Sequence, residues 1–174
     1  HEDPRRQRQM CIRDRYEEVF KILKNFEVFL IPGNVDSLEI LEETKTKNVI
    51  NIDGKVLDYK NTKFGFAGGG VPTPINARGE ITEEEFKTKL DKLGDVDIIC
   101  THAPPYIDEL ITDVITNKKE QGWKSLKTFI EDKKPKFSLF GDVHQPKAYE
   151  WIVGSTKCIN AVSYTHLRAH ETPV

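Results

Sequence analysis

Side chains that could bind a metal ion stand directly after three apolar runs of the sequence. They offer an amide oxygen, imidazole nitrogens and carboxylate oxygens, a donor set that suits borderline-hard divalent ions such as Mn, Fe or Zn. These loops contain no thiolate, so a cysteine-type zinc site is not indicated. The candidate metal ligands are Asn34, His102, Asp142 and His144, and a second aspartate, Asp36, follows Asn34 in the same loop.

The three apolar runs are predicted to be strands, because short apolar stretches bounded by turn residues are typical of buried strands. They comprise residues 28–31, 96–100 and 137–140, and each leads into a polar loop. In open α/β sheets, ligands bind at the carboxyl ends of the strands. We therefore expect the three loops to meet at one edge of a sheet and to form a dinuclear metal centre.

Each of these features taken alone has an ordinary structural explanation. Gly33-Asn34 after a strand is most often a turn, and a single histidine is more often a hydrogen-bonded structural group than a ligand. The glycines at 68–70 indicate a flexible turn, because no Lys-Ser or Lys-Thr pair follows them as in a phosphate-binding loop. Cys100 and Cys158 are expected to pack inside strands. The prediction of a site depends on the three loops occurring together.

The elements that must position the loops follow from hydrophobic spacing and from capping residues. Capping boxes are predicted at Asp36 with Glu39 and at Thr82 with Glu85, each at the start of a helix. Strands alternating with helices favour one α/β domain whose helices lie outside the sheets. The other predicted elements are helices over 16–25 and 123–131, strands forming a meander over 49–52, 56–59 and 63–67, and a β pair of 148–153 with 156–160.

Composition restricts the class of protein. The chain has 174 residues, of which 37% are hydrophobic and 31% charged, which suits a globular domain and excludes a disordered or fibrous chain. No apolar stretch approaches the roughly 20 residues of a membrane span, so we expect no membrane partner and a cytoplasmic location. Three irregularly spaced cysteines predict no disulfide framework, and the net charge of −2 does not indicate nucleic acid binding.

The two ends of the chain differ in character from the part between them. Residues 1–15 and 162–174 lack the apolar periodicity seen elsewhere. If residues 10–14 are written as the codons ATG TGT ATA AGA GAC, the reverse complement translates as residues 162–166. Such strings resemble translated adapters from sequencing libraries, and scars of that kind are not part of a native fold. We therefore expect two adapter-like tails, not native, around a partial domain of residues 16–161.

In their order along the chain, the three loops resemble signature motifs of the calcineurin-like metallophosphoesterase superfamily. Residues 33–36 match Gly-Asn-x-Asp, residues 101–105 form a histidine loop reading Thr-His-Ala-Pro-Pro, and residues 141–144 stand in the place of Gly-His-x-His. The stretches 64–74 and 144–160 resemble an archaeal-type branch. The resemblance implies an α/β fold of two packed mixed β-sheets flanked by helices, an αββα sandwich that is incomplete here at the N-terminus.

The resemblance also implies roles for individual residues. Asn34 and His102 would bind one of two divalent metal ions and His144 the other, while Asp142 occupies the place of the first histidine of Gly-His-x-His. The ions would be Mn, Fe or Zn, and the substrate a small molecule with a phosphate ester. Asn34 is a neutral ligand, which limits repulsion of an anionic substrate. Asp36, the candidate catalytic residue, would orient its loop.

Departures from the family pattern leave a second function open. The motifs Asp-x-His and Gly-Asp-x-x-Asp, which supply further metal ligands, would precede Tyr16. Val35 stands where many members have a histidine that assists the leaving group, and Asp142 adds negative charge. The leading hypothesis is a metal-dependent phosphoesterase for phosphodiesters or phosphomonoesters, of which this chain is an inactive fragment. The alternatives are a non-catalytic scaffold of the same fold for protein–protein interaction, and a plain structural domain with coincidental motifs.

Overall fold

Helices and strands alternate along residues 4–162, the part that this computed structural model describes, with side chains from Arg13 onward. The helices are α1 (Pro4–Ile22), α2 (Leu38–Thr44), α3 (Glu83–Leu93), α4 (Asp108–Ile111) and α5 (Lys124–Lys133). The strands are β1 (Val28–Leu30), β2 (Val49–Asn51), β3 (Lys55–Tyr59), β4 (Thr62–Ala67), β5 (Ile98–Thr101), β6 (Thr112–Asp113), β7 (Lys118–Lys119), β8 (Phe137–Phe140), β9 (Glu150–Val153) and β10 (Thr156–Asn160).

Six of the strands form one mixed sheet, in the order β3-β4-β5-β8-β10-β9. The four inner strands are parallel, whereas β3 and β9 run antiparallel to their neighbours at the two edges. Parallel neighbours need crossover connections, and α3 and α5 supply them between β4 and β5 and between β5 and β8. The carboxyl ends of the inner strands therefore lie at the same edge of the sheet.

The main core lies where α3 and α5 meet this sheet. Phe86 on α3 and Trp123 at the start of α5 are fully buried and stack with ring centroids 4.1 Å apart. The predicted helix over 123–131 is confirmed as α5, because its apolar residues fall on one buried face. Its buried residues are Leu126, Phe129 and Ile130.

A second, smaller core joins α1 and α2 to a separate pair of parallel strands, β1 and β2. The expectation that β1 is buried is wrong for Phe29, which is 36% exposed. Val28 and Leu30 pack on this core, and successive side chains of a strand point to opposite faces. The predicted meander is wrong for β2, which pairs with β1, so that β3 and β4 are the two strands of the predicted three that form a hairpin.

One of the two predicted capping boxes is confirmed. At the start of α3, Thr82 Oγ1 accepts from Glu85 N at 3.2 Å, and Glu85 Oε2 accepts from Thr82 N at 2.7 Å. The box predicted at Asp36 is wrong: Ser37 is the N-cap residue of α2, and its side chain makes no capping bond. The Asp36 carboxylate instead accepts a hydrogen bond from Gly33 N.

The mixed α/β architecture, with one large sheet, smaller sheets and helices, confirms the expected fold class. Strand β8 has the predicted bounds, and β9 with β10 forms the predicted pair, whereas α4 and the short hairpin of β6 and β7 are not predicted. The helix predicted over 16–25 extends further back, since α1 includes residues 4–15.

Of the expected tails, residues 1–3 and 163–174 lie outside the described residues. Within the described part, no helix has both the length and the apolar character needed to cross a membrane.

Candidate functional site

The ends of β5 and β8 bring His102 and Asp142 to the same edge of the main sheet. The two strands are parallel neighbours, with Cys100 opposite Leu139. Beyond the strands the pairing continues, since Gly141 N donates to the His102 carbonyl at 2.8 Å. The expected meeting of these two loops is therefore confirmed.

The His102 imidazole lies against the Asp142 carboxylate. Nε2 of His102 is 3.4 Å from Oδ1 of Asp142, and the two side chains are 24% and 26% exposed. The Nε2 atom itself is buried and has no hydrogen-bond partner among the described residues. A buried polar atom without a partner costs stability unless another group, such as a bound ion, satisfies it. Asp142 has a left-handed backbone (φ 69°), which Asp adopts more readily than most residues.

The turn that carries Asn34 packs against His102 on one side and against glycines on the other. A Cβ atom on Gly33 would lie 2.7 Å from Cε1 of His102, so glycine allows this close approach. A Cβ atom on Gly70 would lie 2.2 Å from Cβ of Asn34, and the Asn34 carbonyl accepts from Gly79 N at 2.9 Å. The glycine-rich segment, expected to be a flexible turn, is instead a packing surface for Asn34.

Asp36 ties this turn to α1. Its Oδ2 accepts from Gly33 N at 2.6 Å, and its Oδ1 accepts from the Tyr16 hydroxyl. Burial and, after it, this hydrogen bond raise the pKa of the Tyr16 phenol, so the hydroxyl remains a donor at neutral pH. Asp36 therefore orients the backbone next to Asn34, while its part in catalysis stays a prediction.

His144 and His102 are held by different elements of the fold. The residues after it, 145–147, are hydrogen-bonded to the strand region of β6 and its turn. His144 is near Asp113 on β6, whose carboxyl pKa is lowered mainly by a backbone hydrogen bond from Thr116 and in smaller part by His144. Within the described residues, no three His, Cys, Asp or Glu side chains come close enough to hold a metal ion. The place of His144 in one site with His102 therefore stays a prediction.

Two contacts of this site, Tyr16 with Asp36 and Gly79 with Asn34, could not be predicted from the sequence. Tyr16 and Asp36 are 20 residues apart, and the sequence places Tyr16 only on the face of a helix. Gly79 belongs to a loop that the sequence leaves without an assigned structure. Both contacts depend on how separate elements pack, which periodicity does not encode.

Comparison with known proteins assigns the chain to a family. The calcineurin-like phosphoesterase family model matches residues 6–146. The chain is 32% identical over 152 residues to the uncharacterized protein MJ1162 of Methanocaldococcus jannaschii, in an alignment that covers 83% of this chain and 67% of that protein.

Solved structures share the fold. One crystal structure gives a TM-score of 0.68 at 18% identity and covers 92% of this chain and 67% of its own. The crystal structure of TT1561 of Thermus thermophilus gives a TM-score of 0.56 at 17% identity, with 87% of this chain and 71% of that chain covered. Given the order of its three loops, its mixed sheet and the match to the family model over residues 6–146, the chain belongs to the calcineurin-like phosphoesterase family.

Proposed function

We propose that the protein is a metal-dependent phosphoesterase that hydrolyses a phosphodiester or a phosphomonoester through a dinuclear metal centre. The family is one of phosphoester hydrolases that generally bind divalent metals. Residues 16–161 are proposed to be the native, partial domain. The proposed metal ligands are Asn34, His102, Asp142 and His144, and the proposed ions are Mn, Fe or Zn.

The observation that carries this proposal is the contact between His102 and Asp142. A buried imidazole nitrogen without a hydrogen-bond partner among the described residues faces a carboxylate oxygen at 3.4 Å. With metal–ligand bonds of about 2.1 Å, two ligands of one tetrahedral ion stand about 3.4 Å apart. The separation of the two atoms therefore fits shared coordination, and Asn34 in the adjacent turn offers a neutral oxygen.

A divalent ion bound there would polarise phosphoryl oxygens and lower the pKa of water. The chain's own groups position the ligands and limit the leaving groups. Asp36 fixes the Gly33 amide and so orients the neighbouring Asn34. Val35 is 68% exposed and can neither donate nor accept a proton, so esters whose leaving group needs protonation should react poorly. Activated aryl esters are therefore the assay substrates of choice.

The test is hydrolysis of bis(4-nitrophenyl) phosphate and 4-nitrophenyl phosphate, with added Mn²⁺, by the longer protein proposed to contain residues 16–161. We expect a chelator to abolish the activity and His102→Ala to lower it at least about tenfold. Lys87→Met, a change at an exposed residue of α3, should leave it unchanged. Hydrolysis that persists with chelator or after Asn34→Ala contradicts the proposal.

A non-catalytic scaffold of the same fold is the second candidate, and exposed apolar residues favour it. Ile22 and Phe26 are 70% and 64% exposed, next to the half-exposed Val19. Exposed apolar residues close together are typical of protein–protein contacts. A longer protein that binds Mn²⁺ yet hydrolyses neither substrate would favour the scaffold over the enzyme.

A further inference from the structure

One ion pair is more buried than the other lysine pairs of the described residues. Nζ of Lys89 on α3 lies 2.7 Å from Oδ2 of Asp53, which stands in the turn between β2 and β3, and the two side chains are 23% and 13% exposed. By contrast, the Lys87–Asp91 pair on the same helix is 55% and 63% exposed. Partly buried pairs are screened less by solvent than exposed pairs.

Both members of the pair also hold the backbone of Gly68. Oδ1 of Asp53 accepts from Gly68 N at 2.7 Å, and Nζ of Lys89 donates to the Gly68 carbonyl at 3.0 Å. The amide and the carbonyl of this residue are therefore both fixed by charged groups. We name this arrangement of Lys89, Asp53 and Gly68 the Lys89–Asp53 clamp.

From Gly68 the contacts lead directly to the start of the Asn34 turn. A Cβ atom on Gly68 would lie 2.5 Å from Cδ of Pro32, and Gly69 N donates to the Pro32 carbonyl at 2.8 Å. The next residue, Gly70, is the one whose backbone lies against Cβ of Asn34.

The Asn34 end of the turn is also linked to the glycine segment 68–70, through Gly79. Gly70 N donates to the Gly79 carbonyl at 2.9 Å, and Gly79 N donates to the Asn34 carbonyl at 2.9 Å. The Pro32 carbonyl is thus bonded to the glycine segment directly, and the Asn34 carbonyl is linked to it through Gly79.

We propose that Lys89 and Asp53 are positioning residues, which hold Asn34 in place for metal binding by clamping the glycine segment 68–70. The inference rests on the proposed function, in which Asn34 is a metal ligand. Lys89 acts from α3 through Gly68 and not through contact with the ion. Supports of this kind fix the direction of a ligand, and their loss typically lowers metal affinity about 10- to 100-fold.

The experiment compares Lys89→Met with Lys87→Met, which removes the same charge from an exposed pair of the same helix. Amide hydrogen exchange at Gly69 and Gly79 reports the two bonds that hold the turn, and titration followed by electron paramagnetic resonance reports Mn²⁺ affinity. We expect Lys89→Met to speed exchange at both glycines and to weaken Mn²⁺ binding about tenfold. Exchange at Trp123, an amide of the main core, should stay as in the wild type.

Two further variants separate positioning from general destabilisation. Asp53→Asn keeps an oxygen for Gly68 N but removes the charge that Lys89 needs, so it should act in the same direction as Lys89→Met. Lys89→Arg keeps the charge and the donors, so it should restore most of the affinity.

The outcomes distinguish this inference from the function on which it rests. Exchange at Gly69 and Gly79 that is as slow in Lys89→Met as in the wild type overturns the inference. Faster exchange with wild-type Mn²⁺ affinity overturns it too, because the clamp would then only stabilise the segment. If Asn34→Ala leaves the Mn²⁺ affinity unchanged, the proposed function fails, and the positioning role fails with it.

Discussion

The position of Asn34 depends on glycines that leave no room for a side chain. Besides the approaches at Gly33 and Gly70, a Cβ atom on Gly79 would lie 1.9 Å from the Gly33 carbonyl oxygen. The sequence shows these glycines but not what they contact. The turn of residues 33–34 and the glycines at 70 and 79 are about 40 positions apart and meet only in the folded chain. The candidate ligands could be predicted from their types and motif order, whereas the packing that holds them could not.

We predict that Gly70→Ala displaces Asn34 and weakens Mn²⁺ binding about 10- to 100-fold. The added methyl group would lie 2.2 Å from Cβ of Asn34, so one of the two segments must move. The control is Gly154→Ala in the turn between β9 and β10, where the added Cβ meets no atom within 4 Å and only the left-handed backbone (φ 58°) is strained. Isothermal titration with Mn²⁺ checks both variants. Equal affinities in the two would contradict the role assigned to Gly70.

For helices and strands, the sequence predicts caps and bounds better than it predicts which strands pair. The capping box of α3 and the bounds of β8 follow from neighbouring residues, and both are confirmed. The partner of β2 is not encoded locally: β3 is the next strand along the chain, yet β2 pairs in parallel with β1, whose residues pair with those 21 positions later, Val28 with Val49. Asp36 shows the same limit: the sequence predicts it as a helix cap, but Ser37 is the N-cap residue, and the Asp36 carboxylate accepts from Gly33 N and the Tyr16 hydroxyl.

The cap of α3 should make stability depend on pH at the acidic end. The backbone hydrogen bond from Thr82, and then its hydroxyl, lower the pKa of the Glu85 carboxyl. A lowered folded-state pKa means that this stabilisation is complete above the unfolded-state pKa of about 4.3 and is lost as the pH falls through the lower folded-state value.

We therefore expect Glu85→Ala to reduce the free energy of unfolding by a constant amount between pH 6 and 8, and by a shrinking amount below about pH 4.3. Urea denaturation across that range measures the difference. The matched control is Glu84→Ala in the same first turn of α3, which leaves the box intact. A Glu85→Ala difference that grows on acidification would contradict the assigned cap.

At the scale of the whole molecule, the site stands between two cores of unequal size. His102 and Asp142 extend from the main sheet, which α3 and α5 cover, whereas the Asn34 turn follows β1 in the smaller unit. The hydrophobic cluster of that unit has three buried residues among the described residues, Phe20, Leu41 and Val49. Because burial of apolar area is the main source of stability, the smaller unit should open more easily.

We predict that the Val28 and Ile52 amides, which bridge β1 and β2, exchange faster than amides in β5 and β8. Strands β5 and β8 pair with a neighbouring strand on both sides and contribute residues to the main core. Hydrogen exchange followed by NMR gives the opening free energy at each amide. Equal protection of the two sets, with no binding of an apolar dye to the exposed residues of α1 and β1, would show a single cooperative unit instead.

If His102 and Asp142 bind a metal ion at the edge of the main sheet, the imidazole signals of His102 should respond to that ion. The chain has five histidines, at positions 1, 102, 144, 166 and 170. The measurement is a long-range proton–nitrogen NMR correlation of the imidazole rings during substoichiometric addition of Mn²⁺, in the wild type and in Asp142→Ala. We predict that the His102 signals broaden before those of residues 1, 166 and 170, and that Asp142→Ala removes this preference. Broadening that spares His102, or that is the same without the Asp142 carboxylate, would contradict it.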